Sequence, residues 1–308
     1  MKNNKIFIDG REGTTGLMIE ERLKNFPNIT LIEIEPELRK DKNERKRLLN
    51  QADVAILCLP DEAAKESVSL IEKGETRVID ASTAHRTADG WVYGMPELNK
   101  EQQGLIKEAK RVAVPGCHAT GFIGVVYPLI KTGIISPDYN ITATSVTGYS
   151  GGGKSMIATY EQNRQKCDER TSPAFYALGL THKHIPEMQR ICGLESRPVF
   201  TPIVADFYKG MTVAVPLFSK LFNKKFSVSE LYDFYKDYYS GQSCIEIMTA
   251  EQSAPNGFLY AQECNDTNKL QMTVSGNGEE LLVTARLDNL GKGSSGAAVQ
   301  CLEIMIKQ

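Results

Sequence analysis

Hydrophobic residues in the first third of the chain come in short runs separated by segments of helical spacing. Lys5-Ile-Phe-Ile-Asp9 reads as a buried strand, Gly10 to Gly16 as a glycine-spaced turn, and Leu17 to Phe26 as a helix. Ile29 to Ile34 is a second strand and Glu37 to Gln51 a charged helix. Asp53-Val-Ala-Ile-Leu-Cys-Leu59 is almost wholly apolar, as a parallel strand covered on both faces must be. Pro60 stops it, and Asp61 caps a helix to Lys73 that gathers Ala63, Ala64, Val68 and Ile71 on one face. Arg77 to Asp80 and Val112 to Val114 add two more strands. This alternation predicts an α/β fold, a Rossmann-type doubly wound parallel sheet.

The pattern changes further on. Ile141 to Gly148, Val199-Phe-Thr and Met211 to Val215 read as strands, and Ser229 to Tyr239 as a helix. Leu270 to Val274 and Leu281 to Ala285 flank Ser-Gly-Asn-Gly-Glu, a hairpin signal. Gly296 to Ile306 is an apolar helix. The expectation here is an α+β domain with a mainly antiparallel sheet.

Composition fits two soluble domains. At roughly 150 residues per domain, 308 residues suggest two. A hydrophobic share of 41% supplies real cores. Lys plus Arg number 36 against 38 Asp plus Glu, a net charge of −2, which argues against a nucleic-acid binder. The N-terminus runs straight into a strand with no signal-peptide pattern, and the apolar stretch Phe122 to Ile130 is far too short to span a bilayer. Seven cysteines, an odd number without a C-x-x-C pair, indicate a reducing compartment and a cytoplasmic protein.

Two turns carry candidate chemistry. Gly10-Arg-Glu-Gly13-Thr14-Thr15-Gly16 links a strand to a helix, so its backbone can approach a pyrophosphate at the helix N-terminus. Glu33 or Glu35 suits a ribose 2′-hydroxyl and hence NAD; Arg39 and Lys40 suit a 2′-phosphate and hence NADP. In Val114-Pro-Gly-Cys117-His-Ala-Thr120, a strand ends, Pro-Gly turns the chain, and a helix begins at about Ala119. A thiol at a helix N-terminus is favoured as the thiolate nucleophile. Cys58, Cys167, Cys192, Cys244, Cys264 and Cys301 lack such a turn and read as structural.

A nucleophile needs a base, and Thr181-His-Lys-His184-Ile-Pro-Glu187 holds two of the four histidines. A zinc site lacks matching ligands at a suitable spacing, so no metal is expected. Asp80-Ala-Ser82-Thr-Ala-His-Arg86 and Tyr149-Ser150-Gly-Gly-Gly153-Lys154 each combine hydrogen-bond donors with a cation, as a phosphate site would.

These segments, with Tyr93-Gly-Met-Pro-Glu97 and Asp288-Asn-Leu-Gly-Lys-Gly-Ser-Ser-Gly296, resemble the short-form N-acetyl-gamma-glutamyl-phosphate reductases. That family lies in the aspartate-semialdehyde-dehydrogenase-like superfamily, and the likeness runs end to end. It implies an NADP-binding Rossmann domain, 1–116 with 289–308, and a catalytic, oligomerising domain, 117–288. The C-terminal helix returns to the first domain, and the segment from Asp288 lies near the nicotinamide.

The resemblance makes Cys117 the nucleophile and one of His182 and His184 the general acid/base; His184 is favoured, with His182 as a substrate or phosphate contact. Cofactor contacts fall at Gly10, Gly13, Thr14, Thr15 and Gly16, and at Arg39, Pro60, Ser82, Gly153 and Asn289. Substrate and phosphate contacts fall at Arg86, Ser150, Gly151, Lys154 and Glu187. Long-form members often carry Asp-Phe where this chain has Ala84-His85.

The implied reaction is NADPH-dependent reduction of N-acetyl-L-glutamyl 5-phosphate through a Cys117 thioester, in arginine biosynthesis. The partners are a small acyl phosphate and other copies of the chain, as homodimer or homotetramer, with neither nucleic acid nor membrane. One rival is a related phosphorylating dehydrogenase, such as that for aspartate semialdehyde; another is a nucleotide or redox sensor without turnover.

Overall fold

The computed structural model describes residues 3–24, 26–72, 74–166 and 172–307, the side chains of 163–166 excepted. The chain divides into two compact units, Met1–Gly116 with Ser294–Gln308, and Cys117–Gly293. The second crossing comes at Ser294 rather than at 289, because 288–293 is bonded into the second unit. Asp288 accepts from the backbone N–H of Asp266 (2.8 Å), and Asn289 accepts from that of Gly210 (2.8 Å).

The first unit runs β1 (Asn4–Asp9), α1 (Thr14–Leu23), β2 (Ile29–Ile32), α2 (Lys42–Gln51), β3 (Val54–Leu57), α3 (Asp61–Ser69), β4 (Arg77–Asp80), β5 (Val92–Tyr93), α4 (Gln102–Glu108) and β6 (Arg111–Ala113). Its sheet has the order β2-β1-β3-β4-β6-β5, with every pairing parallel. Side chains alternate between the two faces. Ile6 and Ile8 join Val54, Ile56 and Ile79 under α1, α4 and the C-terminal helix Gly296–Ile306; Phe7, Ala55 and Leu57 join α2 and α3 on the other side. The C-terminal helix belongs to this unit because Ala298, Cys301, Leu302 and Met305 complete that first layer.

Several local boundaries differ from the sequence reading. Helix α2 begins at Lys42 rather than Glu37, because the Asp41 carboxylate caps it by accepting from the Glu44 N–H at 2.8 Å. Asp61 is the first residue of α3 rather than its cap; its carboxylate accepts from the Thr83 backbone N–H (3.0 Å) and hydroxyl. Helix α3 ends at Ser69, and Lys73, the expected end, lies outside the described residues.

The second unit opens with α5 (Cys117–Lys131) and continues through β7 (Thr142–Gly148), α6 (Gly153–Lys166), β8 (Ala174–Phe175), α7 (Ile185–Cys192), β9 (Val199–Ala205), β10 (Met211–Phe218), α8 (Val228–Tyr238), β11 (Ile245–Thr249), β12 (Leu270–Gly276) and β13 (Glu280–Leu287). Its sheet has the order β11-β12-β13-β10-β7-β9-β8. It is mixed: β11 with β12 and β7 with β9 are parallel, the other pairs antiparallel. Helices α5 and α8 pack against the sheet, and α7 packs on α5.

Helix α5 is buried almost throughout and carries Pro128 in its interior. Proline has no N–H, so the Gly124 carbonyl loses its helical donor. The Tyr239 hydroxyl replaces it at 2.6 Å, and Tyr235 donates to the neighbouring Val125 carbonyl at 2.7 Å. The helix that presents the thiol is thus held from behind by two phenols.

Candidate functional site

Cys117 is the first residue of α5, two residues before the expected start, and is half-buried. The chain closes tightly against it. A Cβ at Gly293 would stand 2.7 Å from the Cys117 Cβ, so only glycine fits there. Backbone bonds from the N–H groups of Gly291 (3.1 Å) and Gly293 (3.0 Å) to the Asp288 carbonyl hold that approach. The first turn of α5 has no acidic residue, so nothing there opposes an anion at the helix N-terminus.

Three of the four histidines gather at this helix start. His118 lies 5.3 Å from His182 and 5.5 Å from His184 between ring centroids, and His182 lies 4.7 Å from His184. Phe200 and Tyr176 complete the aromatic wall, 5.2 and 6.4 Å from His118. His184 is buried and precedes α7; His182 is half-buried, and its Nδ1 accepts from the His184 backbone N–H at 3.2 Å. Glu187 is buried in the first turn of α7.

His118 was missed by the sequence reading, although it directly follows the cysteine. It is buried between Ser145 and Tyr176, with a ring nitrogen 2.8 Å from each hydroxyl. Burial first, then the charges of His182 and Lys183, push its pKa down to about 3. Burial, and secondarily the Cys117 sulfur, push the Tyr176 phenol upward.

The loop after β7 brings two expected residues together. The Asn289 amide donates to the buried Ser150 hydroxyl at 3.0 Å, and Gly151 lies beside that amide. Gly153 opens α6 with φ +70°, whereas Lys154 is exposed. Both Ser150 and Asn289 therefore lie within the second unit.

In the first unit the glycine turn is a backbone construction. Gly10 has φ +88°, and a Cβ there would stand 2.4 Å from the Cys58 carbonyl oxygen. Gly13 is the N-cap of α1 without a side-chain cap, so the first-turn N–H groups around Thr14, Thr15 and the buried Gly16 suit a pyrophosphate. The Thr15 hydroxyl lies 3.2 Å from that of Ser294.

Beyond β2, Glu33 pairs with Arg11 at 3.1 Å, and Arg11 also binds Glu20 with two nitrogens. Arg39 is exposed, 3.8 Å from Glu12. Arg11 is another residue the sequence reading passed over, and its bonds to Glu20 and Glu33 tie the glycine turn to α1 and the end of β2.

Pro60 is the N-cap of α3. Ser82 donates to the buried Asp80 carboxylate at 2.7 Å and accepts from the Ala84 N–H at 3.1 Å, so its proton is already used. His85 shares the same carboxylate oxygen at 2.6 Å and stacks on Trp91 at 4.1 Å. Arg86 is half-buried and donates to the carbonyls of Val114 (2.9 Å) and Ala81 (3.3 Å).

The other cysteines differ in surroundings from Cys117. Burial pushes the thiols of Cys58, Cys192 and Cys264 upward. Cys301 is buried and donates to the Gly94 carbonyl at 3.4 Å, while the Asn268 amide lies 3.9 Å from the Cys244 sulfur. Cys167 lies outside the described residues. No helix among the described residues is long and apolar enough to cross a membrane.

Comparison with known proteins matches residues 117–289 to the semialdehyde dehydrogenase dimerisation domain and residues 5–106 to the semialdehyde dehydrogenase NAD binding domain. The N-acetyl-gamma-glutamyl-phosphate reductase 2 of Nostoc sp. is 46% identical over 314 residues, covering 99% of this chain and 98% of the relative. That of Pseudomonas putida is 41% identical over 98% of this chain and 96% of its own. Aspartate semialdehyde dehydrogenase from Francisella tularensis superposes with a TM-score of 0.76 at 14% identity, covering 98% of this chain and 99% of that one. The Candida albicans enzyme, solved with NADP, gives 0.70 at 14% identity and covers 98% of each chain. These last two share the fold.

Proposed function

The chain belongs to the N-acetyl-gamma-glutamyl-phosphate reductases of the semialdehyde dehydrogenase family, and on that premise we propose that it reduces N-acetyl-L-glutamyl 5-phosphate to N-acetyl-L-glutamate 5-semialdehyde and phosphate in arginine biosynthesis. The carrying observation is the gathering of His118, His182 and His184 at the helix start that bears Cys117.

The Cys117 thiolate attacks the acyl carbon; the carbon–oxygen bond to phosphate breaks, and a thioester forms. NADPH, when bound, supplies the hydride that reduces this thioester. His184 gives a proton to the developing oxyanion, then takes it back as the carbon–sulfur bond breaks and the aldehyde leaves. His182 contacts the substrate or its phosphate, with Ser150, Gly151, Lys154 and Glu187 as further contacts. Arg86 is the principal ligand of the leaving phosphate; the Ser82 hydroxyl and backbone N–H both donate to Asp80, which leaves Ser82 as a cofactor contact.

Gly10, Gly13, Thr14, Thr15 and Gly16 cradle the pyrophosphate, with Pro60, Gly153 and Asn289 as further cofactor contacts. Arg39 gives the charge that suits a 2′-phosphate.

The enzyme works in the cytoplasm as a homodimer or homotetramer. Oligomerisation through the second unit is supported by apolar residues on the sheet face turned away from the helices: Val199, Phe218 and Leu282 are exposed there. Sedimentation should give a dimer or tetramer, and Leu282→Glu should shift it towards monomer.

The deciding assay runs in the oxidative direction. NADP with phosphate and N-acetylglutamate semialdehyde should support turnover; aspartate semialdehyde, or NAD in place of NADP, should support little. Preference for aspartate semialdehyde would transfer the chain to the rival reaction, and binding of NADP without turnover of either aldehyde would make it a sensor.

A further inference from the structure

His118 is held by hydrogen bonds whose direction can be worked out. The Ser145 hydroxyl donates its single proton to the Thr212 carbonyl at 2.8 Å. It can therefore only accept from His118, whose Nδ1 lies 2.8 Å away. With a proton on Nδ1, the neutral ring has a lone pair on Nε2, and Nε2 lies 2.8 Å from the Tyr176 hydroxyl. Tyr176 must then be the donor. The chain of bonds runs one way, from Tyr176 through His118 and Ser145 to a strand carbonyl that cannot reverse it.

That direction sets what Tyr176 presents to its surroundings. Its proton is committed to His118, so its oxygen offers only lone pairs. The Tyr176 hydroxyl is bonded to the ring of His118, the residue directly after Cys117, which sets this oxygen in the surroundings of the reacting thiol. The proposed substrate bears a carboxylate, a phosphate and carbonyl groups, all acceptors; the acetamido N–H is its one hydrogen-bond donor. An acceptor with no proton of its own to offer matches that group.

We propose that His118 is a positioning residue: protonated on Nδ1 towards Ser145, it takes the Tyr176 hydroxyl proton at Nε2 and holds the Tyr176 oxygen beside Cys117 as the acceptor for the substrate acetamido N–H. The role rests on the reductase reading for the identity of the donor, and on the hydrogen-bond directions for the rest. His118 is surrounded by His182, His184, Lys183, Tyr176 and Cys117, and burial with the positive neighbours keeps it neutral. His184 can then accept a proton without a second fixed cation beside it.

The test has two parts. Nitrogen-15 spectra of the histidine-labelled full chain, assigned by the loss of one ring in His118→Asn, should show His118 with its proton on Nδ1. The pattern should not titrate between about pH 5 and pH 9. A proton on Nε2, or titration within that range, overturns the positioning role.

The second part compares N-acetylglutamate semialdehyde with 5-oxopentanoate, which lacks the acetamido group, using NADP and phosphate. Tyr176→Phe should raise KM for the acetylated aldehyde about tenfold, change kcat less than about threefold, and raise KM for 5-oxopentanoate by a clearly smaller factor, so that the preference for the acetylated aldehyde falls. Adding His118→Asn should bring little further loss of preference, since both changes cut one chain of bonds. A preference unchanged in Tyr176→Phe overturns the acceptor role, and the phenylalanine ring guards against simple misfolding. Absence of wild-type turnover with either aldehyde would overturn the acetamido assignment together with the reductase reading, and the nitrogen spectra would still decide the His118 tautomer.

Discussion

Two helix starts in this molecule perform different chemistry with opposite materials. At α1 the working groups are backbone N–H groups, and the sequence removes side chains: Gly10, Gly13 and Gly16 let the chain fold back on itself, and Gly13 leaves the helix end without a side-chain cap. At α5 the working groups are side chains, Cys117 and its neighbour His118, carried on a helix buried almost throughout. Neither helix has an acidic residue in its first turn. Two other helix starts are built with acid: α2 has Glu44 with an Asp41 cap, and α8 has Glu230 with a Ser227 capping box. The starts of α1 and α5 thus leave their N–H groups open to an anion, whereas those of α2 and α8 are closed by a side-chain cap.

The difference can be broken first at the thiol. Cys117→Ser should lower turnover by about 10⁴-fold or more and abolish the acyl-enzyme mass shift. NADPH affinity and melting temperature should stay close to wild type, because the swap changes one atom. Retained turnover would show that the nucleophile lies elsewhere. His184→Asn should follow at about 10²–10⁴-fold, with His182→Asn smaller and weighted towards KM. The reverse order would exchange their roles.

At α1 the same kind of small change should act on fold and binding together. Gly10→Ala puts a Cβ 2.4 Å from the Cys58 carbonyl at positive φ. Urea unfolding should show a loss of about 1–3 kcal/mol, accompanied by weaker NADPH binding. Gly13→Asp is the sharper probe. Its backbone is extended and the new Cβ would lie 3.4 Å from the Gly10 carbonyl, so a carboxylate can cap α1. Stability should change by only a few tenths of a kcal/mol, while NADPH binding weakens at least about tenfold.

Acid should reveal the buried imidazole of α5. The pKa of His118 is held near about 3 in the folded protein, below the ordinary 6.5. As pH falls through 6.5, the unfolded chain takes up a proton that the folded chain refuses. Stability then drops by up to about 1.4 kcal/mol per pH unit from this group, and no effect arises above that range. His118→Asn should lack this part of the slope. The smallest effect belongs to the capped ends: Ser227→Ala should cost about 1 kcal/mol and leave turnover unaltered.

Much of this was legible in the chain itself. Glycine spacing after a strand, an apolar run such as Val54 to Leu57, and Pro-Gly before Cys117 are local signals, readable because turn and strand preferences act between near neighbours. His118 was not legible as a site residue. Its partners Ser145 and Tyr176 are distant in sequence, and only the β7 register and the segment after β8 bring them to the ring. Arg45 is a second instance: it sits in a charged helix that looks solvent-facing, yet it is buried against Asp9 at 3.1 Å, with Ser67 bonded to the same carboxylate.

The sequence by itself determined the two architectures, the candidate thiol and the family, since these depend on local patterning and on matching motifs along the chain. Tertiary structure alone decided which side chains share the thiol's surroundings, which way their protons point, and where the chain passes from the second unit back to the first. Hydrogen-bond direction and burial are properties of groups far apart in sequence; they exist only once the sheet has set those groups in register.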